Sequence, residues 1–199
     1  MNYELLTGLV IFALVSTITP GPNTLMLMAS GANFGFRRST PHVLGVGLGF
    51  SLMVILVGVG LIQLFDAYPV SYQILKIGSV TYLLYLAHRI ATASSATVSS
   101  DNSGKPLTFM EAALYQWVNP KSWTMALTAI SVYSPAQSLG AIALVAAIFG
   151  AIAMPSVSLW AVLGQNLGRI LGSCKRMRRF NIIMALMLVA SLFPVVSPD

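Results

Sequence analysis

Two prolines and a glycine interrupt a stretch that is otherwise a membrane-spanning helix. Residues 5–36 carry no charged side chain, and Thr19-Pro20-Gly21-Pro22-Asn23 sits near the centre of that run. Proline lacks a backbone N–H and its ring collides with the carbonyl four residues back, so Pro20 and Pro22 release the carbonyls of Ser16 and Ile18 from helical bonding. Gly21 permits a sharp turn between them. Unbonded carbonyls are costly in hydrocarbon, so such backbone persists at membrane depth only where protein buries it or where it lines a wet cavity. A single proline would read as a kink. A Pro-Gly-Pro-Asn run reads as a helix end followed by a new start, with Asn23 the expected N-cap of the second half and its amides facing the gap. Transporters build binding sites from discontinuous helices of this kind.

The remainder of the chain suits that setting. Hydrophobic residues make up 56% of the 199 and charged residues 8%, with a mean hydropathy of +0.81. Soluble domains average about 25% charge, so the sequence implies a polytopic membrane protein whose surroundings are the lipid bilayer. Eleven Lys and Arg against five Asp and Glu leave a net charge of +6. The positive residues fall mostly in short segments between apolar spans, where they set orientation, so nucleic acid is not an expected partner. A single cysteine, Cys174, excludes an internal disulfide and a multi-cysteine metal site. The start, Met1-Asn2-Tyr3-Glu4, has no basic region, so the first apolar stretch is expected to stay as the first span.

A span needs roughly 20 apolar residues, and six fit: residues 5–36, broken at Pro-Gly-Pro; 43–64; 72–91; 109–133, carrying Asn119-Pro120-Lys121 at mid-depth; 139–163, interrupted by Pro155; and 180–196. Asp66, Pro69 and Ser71 mark the turn before the third span, and Ser134-Pro135 the turn before the fifth. Gly45, Gly47, Gly49, Gly58 and Gly60 along the second span suit close helix packing. Gly164, Gly168 and Gly172 could serve a homodimer or an intramolecular contact equally. Tyr82 and Tyr85 share a face of the third span, as packing aromatics or as lining of a site. Residues 92–108 form the longest polar stretch, so the single transporter domain, 1–199, divides into halves at 1–91 and 109–199.

The segments 37–41, 92–108 and 164–179 share one side and hold most of the Lys and Arg, which places them in the cytoplasm and both termini outside. The first and fourth spans then enter from opposite sides, each with a proline and an asparagine at mid-depth of its first helix. The expected fold class is all-α integral membrane: six helices as two inverted three-helix repeats, with binding at their interface near the midplane. The chemistry offered there is freed carbonyls at Ser16, Ile18 and Gln116, amides at new helix starts, Asn23, Asn119 and Lys121. A charge at the centre of a span is a functional hypothesis in itself. A zwitterionic amino acid suits these groups, its ammonium on carbonyls and its carboxylate on helix N-termini and Lys121.

With Thr-Pro-Gly-Pro-Asn at 19–23, the glycines at 45–49, Tyr-Leu-Leu-Tyr-Leu at 82–86 and Asn-Pro-Lys at 119–121, the chain resembles the LysE/RhtB family of bacterial amino-acid exporters over almost its whole length. Gly35-Phe36-Arg37 and the run 19–50 look most like its cysteine and O-acetylserine exporter branch. The resemblance implies a six-span inner-membrane carrier expelling small amino acids or derivatives, such as cysteine, O-acetylserine, threonine or homoserine, by ion-coupled antiport, with a proton the expected ion. The functional positions it carries over are Thr19, Pro20, Gly21, Pro22, Asn23, Asn119, Pro120 and Lys121. Many relatives have a glycine near Ala112 and Ala113, where this chain departs; Glu111 beside them reads as interfacial. The residues alone leave an importer or a carrier of another solute open. A membrane-embedded enzyme finds no His, Asp or Glu at mid-depth, since His42 and His88 fall at span ends. No metal site or cofactor is expected.

Overall fold

The computed structural model describes residues 3–61, 63, 67–68, 70–93, 105–134 and 138–193. Asp66, Pro69, Pro135, most of the 92–108 stretch and both chain ends therefore lie outside the described residues. Within them the protein is helical: α1 (Tyr3–Ile18), α2 (Pro22–Phe34), α3 (Phe36–Leu56), α4 (Val70–Ala91), α5 (Phe109–Val118), α6 (Pro120–Tyr133), α7 (Leu139–Leu171) and α8 (Cys174–Ala190). A π-helical turn, Val57–Leu61, extends α3. Among the described residues, two helical stretches are long and apolar enough to cross a membrane, Phe36–Leu61 with 26 residues and Leu139–Leu171 with 33. The α1–α2 pair, bent by 53°, makes a third if taken as one broken span.

The bend carries the chain from the rim of the bundle to its centre. Three of the 16 residues of α1 are buried, and Val10, Ile11, Leu14 and Val15 face outward. Nine of the 13 residues of α2 are buried, and its side chains enter three apolar clusters. Met26 meets Leu83, Tyr115 and Leu188; Leu27 meets Val46, Ala112 and Val157; Leu25 and Ala29 meet Met184. A fourth cluster joins α1, α3, α6 and α7 around Leu9, Phe50, Ala126 and Phe149. The outward side chains, among them Ile11, Leu48, Leu52, Ile74, Ile77 and Leu186, form the apolar exterior that a bilayer wets.

Glycine decides the closest contacts. A Cβ on Gly31 of α2 would run into the backbone of Ala161 on α7, and Cβ atoms on Gly164 and Gly168 of α7 would strike the carbonyls of Met28 and Ala32 on α2. The stripe that could have served a homodimer is thus spent, at Gly164 and Gly168, on the chain's own α2. Gly172 instead closes α7 in a left-handed conformation, φ 54°. Gly45 and Gly49 of α3 admit α5 in the same way, a Cβ on Gly49 lying 2.7 Å from Cα of Ala113.

Three boundaries differ from the sequence reading. The 37–41 segment is the first turns of α3, and the reversal between α2 and α3 is Gly35 alone, at φ 79° and ψ 163°, with the side chain of Gln165 accepting from the Phe36 amide at 2.7 Å. Pro155 lies inside an unbroken α7. One proline removes one helical hydrogen bond, and no glycine or second proline stands beside it to compound the loss. The basic residues expected in a 164–179 loop lie partly in the last turn of α7 and partly in the opening turns of α8, separated by Gly172 and Ser173.

Candidate functional site

Both breaks form where proline placed them, but their caps differ. Proline favours the first helical position, so α2 begins at Pro22 and the cap falls on Gly21, not on Asn23 as expected. Thr24 Oγ1 accepts from the Gly21 amide and donates to the Gly21 carbonyl, both at 2.8 Å. In the second break the order is reversed. Asn119 precedes Pro120, caps α6, and its Oδ1 accepts from the Lys121 amide at 3.1 Å.

Freed from capping, Asn23 turns to the other half. Its Nδ2 donates to Gln116 Oε1 at 2.9 Å, and Gln116 Nε2 donates back to Asn23 Oδ1 at 3.2 Å. Gln116 Nε2 also reaches the Ala112 carbonyl, at 2.8 Å, and Ser122 Oγ donates to Gln116 Oε1, at 2.9 Å. The Gln116 carbonyl, expected free, accepts from the Asn119 amide at 3.4 Å. The carbonyls at the end of α1 are also engaged. That of Ile18 accepts from Trp160 Nε1 at 3.3 Å, and that of Thr19 accepts from Lys121 Nζ at 2.7 Å.

Lys121 therefore spans the two breaks. A cation at the C-terminal end of α1 is favoured by the partial negative charge of the last carbonyls. Among the described residues no carboxylate pairs with it; the ion pair they contain is Arg89 with Glu111, at 2.7 Å. The lysine stem lies over Gly21, where a Cβ would stand 3.0 Å from Lys121 Cδ. A methyl here would press on the lysine stem, whereas the extended backbone at Gly21, φ −174°, asks for no glycine.

A cavity of about 40 Å³ lies between the breaks, lined by Ser16, Thr17, Thr24 and Ser122 together with Gly21, Asn23, Asn119 and Lys121. Of the eight positions read from sequence, those last four reach it. Thr19 and Pro20 are exposed beside it, and Pro22 and Pro120 set the helix starts. Sequence reasoning missed the side chains of Gln116, Ser122 and Trp160. The first two lie within three residues of the Asn-Pro-Lys signal, but Trp160 had no local cue. Tyr82 donates to the Glu111 carbonyl at 3.3 Å and packs 6.0 Å from the Tyr115 ring, away from this cavity. Glu111 closes the capping box of α5 with Thr108, as an interfacial acid would.

Apolar helices with two breaks facing one small cavity, its polar groups set among Val46, Phe50, Met125, Ala153 and Val157, are the build of a membrane carrier. The chain belongs to the LysE type translocator family, which matches residues 14–193. It is a multi-pass membrane transporter and not an enzyme. Cysteine/O-acetylserine efflux proteins of Escherichia coli (strain K12), Shigella sonnei (strain Ss046) and Shigella flexneri serotype 5b (strain 8401) are each 29% identical to it over 191 residues, 95% of this chain and 96% of theirs. No solved structure matches it significantly.

Proposed function

We propose that the protein exports small amino acids or their derivatives across the bacterial inner membrane by ion-coupled antiport, with cysteine and O-acetylserine the first candidates. The observation that carries the reading is the Lys121 ammonium held on the Thr19 carbonyl across the two breaks. A zwitterionic substrate offers a replacement for each partner: its ammonium takes the carbonyl, and its carboxylate takes the lysine. The 40 Å³ cavity has room for a few waters at roughly 10–15 Å³ each, well under the ~300 Å³ at which small-molecule sites begin. The site is therefore closed in this conformation, and admitting substrate requires parting the Lys121–Thr19 and Asn23–Gln116 contacts.

Two inverted three-helix repeats, with α1–α2 answered by α5–α6, are the arrangement this reading assumes. The antiport step is assigned to Lys121 because it is the charged side chain that lines the cavity among the described residues. Efflux of labelled cysteine, O-acetylserine, threonine and homoserine from loaded cells or vesicles tests the proposal. Export of at least one of them, dependent on the proton gradient, is expected. Equal retention with and without the protein, across the panel, would end it.

A further inference from the structure

The two breaks differ in what they offer a ligand, and the second has only side-chain donors left to give. The amides that open α6 are spent: that of Lys121 on Asn119 Oδ1, and those of Ser122 and Trp123 on the Asn119 carbonyl at 3.0 and 3.2 Å. Asn119 itself is 1% exposed and lines the cavity between the breaks. Among the described residues its Nδ2 has no hydrogen-bond partner. A buried amide nitrogen with two unmet N–H groups calls for an acceptor. Lys121 Nζ stands with it, since an ammonium has three donors and the Thr19 carbonyl takes one.

The first break offers acceptors. Ser16 and Thr17 of α1 donate their hydroxyl protons to the Phe12 and Ala13 carbonyls at 2.6 and 2.7 Å, so what these two residues keep for the cavity they line is lone pairs. The Thr19 carbonyl joins them once Lys121 turns to a ligand. The remaining wall is apolar: among the described residues, α3 and α7 bring no polar side chain to the cavity. From α3 come Val46 and Phe50, and from α7 Ala153 and Val157, each pair four residues apart and so on one helix face. Met125, one turn beyond Lys121 on α6, adds to that wall.

Resting on the reading of a zwitterionic substrate at the breaks, we infer that the cavity sorts α-amino acids part by part. Asn119 Nδ2 and Lys121 Nζ hold the carboxylate, the oxygens of α1 hold the ammonium, and the α3–α7 wall takes a short uncharged side chain. Lysine, arginine, aspartate or glutamate would set a second charge against Val46, Phe50, Ala153 and Val157 with nothing there to pair it, and burying an unpaired charge is strongly disfavoured. Size is set at two places in that wall: at Ala153, its smallest side chain, and at Met125, unbranched and able to yield.

A ligand that binds the folded protein raises its unfolding temperature, so titrated thermal unfolding of the whole protein in detergent reads binding without transport. The probes are O-acetyl-L-serine, L-threonine, L-alanine, L-leucine, L-lysine, L-aspartate and L-threoninamide, which lacks the carboxylate. O-acetyl-L-serine and L-threonine are expected to saturate at concentrations about tenfold or more below L-lysine, L-aspartate and L-threoninamide. Asn119→Asp keeps the cap of α6 but puts an anion where the donor was. It should raise the half-saturating concentration of L-threonine about tenfold, the loss of one charge-assisted hydrogen bond, and move L-threoninamide far less. Ala153→Val should weaken O-acetyl-L-serine relative to L-alanine, and Met125→Ala should strengthen L-leucine relative to L-alanine, each about tenfold. No stabilisation by any probe, charged side chains that saturate alongside L-threonine, acid and amide weakened alike by Asn119→Asp, or an order of probes unchanged in both wall variants overturns the sorting. Export by a protein that binds the whole panel alike removes the sorting and leaves the export reading. Sorted binding in a protein that exports none of the panel removes the export reading and leaves the sorting.

Discussion

Lys121 performs two tasks with one ammonium group, holding the Thr19 carbonyl and supplying the charge in the cavity at the breaks. The tasks separate by substitution. Arginine keeps the cation but does not give up its proton in the physiological range, so Lys121→Arg is expected to bind substrate and lose its dependence on the proton gradient. Lys121→Met should lose binding and export together. Export from Lys121→Met at the parental rate and pH dependence would leave backbone groups as the whole site. The positions of both breaks were legible in the sequence because proline acts through its own covalent structure. The role of Asn23 was not. Its capping ability is intrinsic, but Pro22 ahead of it fixes the helix start two residues too early, and the side chain is left to find Gln116, 93 positions away. His42 was illegible for a related reason, since nothing in its neighbours along the chain announces that it will be fully buried.

Among elements, α1 and α2 pose the sharpest contrast, one lipid-facing and one central, joined by the break. Pro20 and Pro22 create the break rather than merely tolerating it, so alanine at both restores helical hydrogen bonding across it. Pro20→Ala with Pro22→Ala should thus leave membrane abundance near that of the parent and abolish efflux, as read by immunoblot and transport together; full activity would return the motif to an ordinary kink. The α2–α7 contact makes a separate prediction. In Gly164→Ala the new methyl meets the Met28 carbonyl, and such overpacking costs typically about 1–3 kcal/mol, seen as earlier thermal unfolding in detergent. Gly140 of the same helix has nothing within 4 Å of an added Cβ, so Gly140→Ala should unfold with the parent. The glycine stripe was readable as a packing surface, but its partner was not, because small residues advertise closeness without saying to what. The reversal at Gly35 was hidden by Arg37 and Arg38, whose charge suggested a loop although helix α3 carries them without difficulty.

For the molecule as a whole, charge predicts the orientation in the bilayer. By the positive-inside rule the end that carries the basic residues of α8, with Arg37 and Arg38, is expected in the cytoplasm. Cys174 is exposed and begins α8, so the protein carries its own probe. An impermeant maleimide added to intact cells should leave it unlabelled, whereas inside-out vesicles should label it. Labelling from outside in intact cells would invert the topology and place both termini within.

The meeting of α2 with α7 also bears on how such a carrier can alternate. These helices come from different halves of the chain, and at Gly31, Gly164 and Gly168 they touch backbone to backbone. Sliding surfaces need side chains that can change rotamer as they pass; bare carbonyls wedged against glycines have no such slack. A rocking motion that simply separated residues 1–91 from residues 109–199 would have to tear this contact. On the export reading proposed above, the parting line of the transport cycle is therefore expected to cross both halves, running through hydrogen bonds that can be exchanged for substrate, Lys121 to Thr19 and Asn23 to Gln116, while the glycine seam stays shut.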